Sequence, residues 1–285
     1  MGPCFNLYLF SYSSVKAENR SMRIPAIILF GLLAFLGCSR SPEESRQNKK
    51  EPSLAAPAED AGIRFKRARV FLLSDSDRKS PEHLLAPIIV HETGISAKAK
   101  QPGWTGGKEK ERRVYLLRST VEINGVPHPQ FAYCWRYEAP GRPAKILRMT
   151  LDSSGYPAIF EVFTGAGELT ALYASRGLEN AAAKEQAAVL PGKQYNIEGN
   201  SEIKVTGLVE DGPVAMGPLV YVAAGDRRIV SLSCRCSPSR IDKADDSLRY
   251  KLITPGGSTS ASAEFAAKLP TSEEALRALR IPRDF

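Results

Sequence analysis

Residues 114–137 read VYLLRSTVEINGVPHPQFAYCWRY, and this run decides the fold. Tyr115, Leu117, Ser119, Val121 and Ile123 alternate onto one face of a strand, because successive side chains of an extended chain point to opposite sides. Asn124-Gly125 then marks a two-residue hairpin turn, since both positions tolerate positive φ. On the return strand Phe131, Tyr133, Trp135 and Tyr137 share one face, opposite Ala132, Cys134 and Arg136. Four aromatics in such a row either form the inner wall of a sheet or line a ligand groove.

The β pattern continues on both sides of the hairpin. Leu147, Met149 and Leu151 alternate with Arg148, Thr150 and Asp152. Ser153-Ser154-Gly155 turns into Ile159 to Phe163, and Gly165-Ala166-Gly167 turns into Leu169 to Tyr173. Short alternating runs separated by turn residues predict an antiparallel meander. Further strands are expected within Arg64 to Leu73, Glu202 to Val209, Pro218 to Ala224, Arg228 to Cys236 and Leu248 to Leu252. Gly177 to Val189 is rich in helix formers and predicts one helix crossing between sheet segments. Thr271-Ser272-Glu273-Glu274 is a capping box that predicts a short C-terminal helix. The expected class is therefore α+β and β-rich, an antiparallel meander sheet with one crossing helix and a short C-terminal helix.

Upstream, the chain changes character. Arg23 precedes an apolar run of roughly 13 residues, Ile24 to Leu36, followed by Gly37 and Cys38, in the order of a secretory signal. A membrane span needs about 20 apolar residues, so the run is short for an anchor. Phe35, Leu36, Gly37 and Cys38 make this leader resemble a bacterial lipoprotein signal. That resemblance implies lipid on the Cys38 thiol, cleavage before it, and an extracytoplasmic address in a bacterial cell envelope. It covers the leader alone. Met1 to Ser21 then reads as upstream of a start at Met22, so residues 1–38 comprise an upstream segment plus signal. Residues 39–60, SRSPEESRQNKKEPSLAAPAED, hold too little apolar surface to offset their ordering entropy and read as a flexible tether. Residues 61–285 are expected to form a single globular β-rich domain.

The formal net charge is +8, most of it downstream of the leader. Such a balance favours non-specific contact with anionic lipid, polysaccharide or nucleic acid, so an anionic envelope polymer or an envelope protein is the candidate partner, and a solvated basic surface is the plainer alternative. Nucleic acid is not expected to be a partner in that compartment. Ala97 to Arg113 reads as a glycine- and lysine-rich loop in which Trp104, Lys108 and Lys110 are the candidate ligand contacts. Indole stacking and ammonium charge suit a sugar or headgroup, although Trp104 folded onto the core is the plainer alternative.

Of five cysteines, Cys134, Cys234 and Cys236 fall in the expected domain. Three readings stand open for them: a disulfide from Cys134 to one of the pair, buried thiols, or a soft-metal or redox site completed by His128. No catalytic signature surrounds His83, His91 or His128, and there is no G-x-S-x-G elbow. The leading expectation is thus a membrane-tethered binding or structural domain with no cofactor, leaning away from an enzyme. The alternative is a thiol-based metal-binding or redox protein using Cys134, Cys234 and Cys236.

Overall fold

The computed structural model describes residues 65, 68–74, 80–93, 112–137, 144–236, 248–254, 260–271 and 273–285. Its strands are β1 (Arg69–Leu73), β2 (Ile88–His91), β3 (Arg113–Ile123), β4 (Val126–Trp135), β5 (Lys145–Leu151) and β6 (Pro157–Thr164). They continue with β7 (Leu169–Ser175), β8 (Gly207–Val209), β9 (Leu219–Val222), β10 (Ile229–Ser233) and β11 (Leu248–Ile253). The described helices are α1 (Pro81–Leu84), α2 (Arg176–Glu185), α3 (Ser260–Lys268) and α4 (Glu273–Arg277). Among these residues no helix is long and apolar enough to cross a membrane.

All eleven described strands join one sheet in the order β10-β9-β2-β1-β11-β3-β4-β5-β6-β7-β8. The expected antiparallel meander describes only its middle, β3 to β7, where each strand pairs with the next. The sheet as a whole is mixed and nearly closed. β1 with β11, β11 with β3, β2 with β9 and β7 with β8 are parallel pairs. Parallel neighbours need long crossovers, so they join segments far apart in sequence that local alternation does not connect.

The hairpin turn forms as its residues dictate, with Asn124 at φ 53° and Gly125 at φ 81°. Asn124 Nδ2 also donates to the Pro282 carbonyl at 2.9 Å, tying the turn to the C-terminal segment. Phe131, Tyr133, Trp135 and Tyr137 all point into the inner core and are buried. They pack the inner wall of the sheet. Every one of the eleven strands contributes to that cluster, from Phe71 on β1 to Tyr250 on β11.

Two patches cover the outer face. Leu178 and Ala182 of α2 and Leu276 of α4 pack on Val121, Ile123, Ile159, Leu172 and Ala174. Phe265 of α3 packs on Ala132, Cys134, Ile146 and Phe163. The second patch depends on a helix that local sequence pattern does not predict, since α3 begins inside the polar stretch Ser237 to Ser262. Between the patches Arg148 and Glu161 form a buried, two-pronged ion pair, with Nε to Oε2 at 2.7 Å and Nη2 to Oε1 at 2.8 Å. Arg148 Nη1 also donates to the Pro270 carbonyl, holding the α3–α4 connection against the sheet. Glu179 and Glu198 do similar work beyond α2. Glu179 accepts from the Asn196 and Ile197 amides, and Glu198 from those of Gln194, Tyr195 and Val205.

Removing one partner of a buried pair strands the other charge, at a cost of about 3–5 kcal/mol, whereas replacing both with apolar residues costs far less. Glu161→Ala should therefore lower the unfolding free energy by that amount in urea titrations, and Arg148→Met with Glu161→Leu should recover most of it. A double variant no more stable than the single one would assign the loss to packing instead.

Candidate functional site

β10 and β8 are the two edges of the sheet and do not pair. They come together where β10 ends. Strict alternation over Arg228 to Cys236 would make one strand with Val230, Leu232, Cys234 and Cys236 on a common face. A register shift between Ile229 and Ser231 breaks that alternation, so Ile229 and Leu232 both enter the inner core. The strand stops at Ser233 and the chain turns.

In that turn Cys234 and Cys236 are bonded to each other as a disulfide, with Cα atoms 5.2 Å apart. Two residues along a strand would separate them by about 6.6 Å, near the upper limit for a disulfide, so the turn is what brings them within easy reach. Cys234 is buried and lines a narrow space of about 20 Å³ with Phe160, Val209 and Met216. Cys236 is exposed, and its sulfur lies 3.6 Å from the Asp211 carbonyl oxygen just beyond β8. The amide of Cys236 donates to Cys234 Sγ at 3.0 Å.

Arg235, between the two cysteines, reaches the 84–86 segment, donating to the Leu84 carbonyl at 3.5 Å and to that of Ala86. Tyr133 donates to the Glu82 carbonyl at 2.7 Å and Tyr250 to that of Pro87 at 2.6 Å. Carbonyls at a helix end lack intrahelical partners, and these side chains supply them after α1. Burial holds the Arg235 guanidinium below its ordinary pKa and pushes both tyrosines up.

The structure does not bring the other candidate ligands to this turn. Cys134 is a free thiol on the outer face beneath Phe265, on the far side of the sheet from the inner core, and burial pushes its pKa up. His128 sits six residues earlier on the same strand, about 20 Å away along it. Its Nδ1 is 2.9 Å from the Leu151 carbonyl and its ring stacks on Phe285 at 4.6 Å. Among the described residues no group of three or more His, Cys, Asp or Glu side chains is placed to hold a metal ion. Cys38, Trp104, Lys108 and Lys110 lie outside the described residues.

A second feature is an open cleft of about 280 Å³ on the outer side, beside the start of α2. Ser153, Ser154, Tyr156, Gly177, Asp211 and Asp284 are among its lining residues. Asp152, also at its rim, already accepts the Ser154 and Tyr156 amides that shape the turn. The lining carries carboxylates and no lysine or arginine, so its electrostatics oppose an anionic ligand.

Inside the sheet His91 Nε2 lies 2.9 Å from the Tyr137 hydroxyl, which accepts from Trp135 Nε1 at 3.0 Å. Arg227 stands beside the ring, with Nη1 3.4 Å from His91 Nδ1. Local sequence pattern misses this group, since its members come from β2, the end of β4 and the residues just past it, and the turn before β10. Gly225-Asp226 does mark that turn, which places Arg227 at φ 58°. No protein-family model matches the chain, and no curated protein or solved structure is significantly similar to it.

Burial first, and the Arg227 charge second, lower the His91 pKa from 6.5 to about 3. The unfolded chain then binds a proton below pH 6.5 that the folded chain refuses until about pH 3. Stability should fall as pH drops through that window, by up to about 1.4 kcal/mol per pH unit from this group. Urea midpoints at pH 7 and pH 4.5 check this: His91→Gln should remove that component of the slope. Equal slopes in both proteins would show that His91 titrates normally.

Proposed function

We propose that this chain is an extracytoplasmic domain of the bacterial cell envelope, tethered to the membrane by lipid on Cys38, with a binding or structural role. The observation that carries this reading is the leader itself, a basic residue, a short apolar run and Gly37-Cys38, followed by a polar tether. A disulfide between Cys234 and Cys236 suits an oxidising compartment. The four inner aromatics are spent on packing, which leaves the outer surface and loops to meet a partner. The acidic lining of the cleft beside α2 favours an envelope protein there. Contact with an anionic envelope polymer would fall to Trp104, Lys108 and Lys110.

Thiol chemistry is a second reading, and the Cys234–Cys236 disulfide is the observation that favours it. It narrows to that pair, because Cys134 is buried on the opposite face.

When the full chain is expressed in a bacterium fed labelled palmitate, the label should enter the protein and the protein should partition with membranes. Cys38→Ser should abolish both. Incorporation that survives Cys38→Ser would overturn the tether at this residue.

A further inference from the structure

We propose that Cys234–Cys236 is a thiol-exchange site with a fixed polarity: Cys236 is the sulfur that a partner's thiolate attacks, and Cys234 is the leaving sulfur. This rests on the thiol reading above and adds the direction of exchange and the class of partner, a protein dithiol. Three observations carry it.

Access differs between the two sulfurs. Cys236 is exposed at the end of the turn, while Cys234 is 5% exposed and faces the packed space against Phe160 and Val209. An incoming thiolate therefore meets Cys236 first.

The leaving side is prepared. The Cys236 amide already points at Cys234 Sγ from 3.0 Å, and a donor aimed at a sulfur stabilises its thiolate, offsetting part of the desolvation that burial imposes there. A more stable leaving thiolate departs faster. Arg235, the residue between the two cysteines, directs its guanidinium to the Leu84 and Ala86 carbonyls and so holds the turn against the 84–86 segment.

The bond also has little structural work to do. Loop-closure stabilisation grows with the number of residues enclosed, and a bridge between residues two apart encloses almost none. The bulk of the fold is held by the shared core and the strand ladder, which do not depend on this bond.

The exchange runs in two displacements. The partner's thiolate attacks Cys236 Sγ, forming a mixed disulfide as the Cys234–Cys236 bond breaks, and the electron pair leaves on Cys234 Sγ. The partner's second thiol, deprotonated, attacks its own sulfur in that mixed disulfide, and Cys236 leaves as thiolate. Each released thiolate takes a proton. Two electrons and two protons have then passed to the cysteine pair, and the partner dithiol has become a disulfide; the reverse sequence oxidises the pair again.

The test uses the full chain, prepared without reductant and exposed to excess reduced glutathione in native buffer. Samples are quenched in acid at short times and mapped by mass spectrometry. Trapped glutathione should sit on Cys236 in at least about tenfold excess over Cys234. Adduct mainly on Cys234 would overturn the polarity while leaving thiol exchange itself standing. A disulfide that stays intact in the folded chain, yet is reduced once the chain is unfolded in urea, would overturn the thiol reading altogether. Cys234→Ser and Cys236→Ser supply a check on folded protein: the first should react rapidly with a disulfide probe through Cys236, and the second slowly. Equal rates would count against the polarity.

Discussion

A sheet with large apolar side chains on one face has to cover that face, and here the sheet covers itself. Phe131, Tyr133, Trp135 and Tyr137 on the β4 side meet residues from every other strand in one interior cluster. Each large side chain taken fully out of water contributes about 1.5–3 kcal/mol, so the concentration of aromatics on this strand favours curling the sheet until its two edges approach. That constraint accounts for the parallel pairs. Short strands from both ends of the chain, β1, β2, β9 and β11, are recruited beside the central meander to complete the wall. It also places the seam where β8 and β10 end, which is where the disulfide turn lies.

The outer face carries a different load. Helices α2 and α4 cover one patch and α3 the other, and the line between them is occupied by Arg148 and Glu161 instead of hydrocarbon. An ion pair there costs desolvation, but it fixes the register of β5 on β6 and anchors Pro270 at once. The buried carboxylates of Glu179 and Glu198 order the long connection from α2 to β8 by collecting its backbone amides. Polar groups thus set positions on the outside, while the inside supplies most of the burial.

Much of the central meander is legible in the sequence, because alternation, Asn124-Gly125 and the glycine turns at Gly155 and Gly167 are local signals. The rest is not local. β8, β9 and β10 have three, four and five residues, too short for alternation to establish, and their partners are distant in sequence. The shift after Ile229 reverses side-chain facing within β10, which made four residues look coplanar that are not. The disulfide is likewise not legible from alternation, since an unbroken strand holds residues two apart near the upper limit for such a bond. α3 escaped notice because only Phe265 marks its buried face. Nothing local singles out Arg148 and Glu161 among 39 basic and 31 acidic residues; only the pairing of β5 with β6 sets them side by side.

One shared interior implies one cooperative unit. The most direct measurement is native-state hydrogen exchange of the β2 and β9 amides against those of β4 and β5, followed as urea is raised below the unfolding transition. If all eleven strands depend on a single core, the slowest amides of both groups should open with the same free energy and converge on global unfolding. If β1, β2, β9 and β10 open together at a much lower free energy while β3 to β7 stay protected, the sheet comprises two independent parts and the shared core is not what holds it.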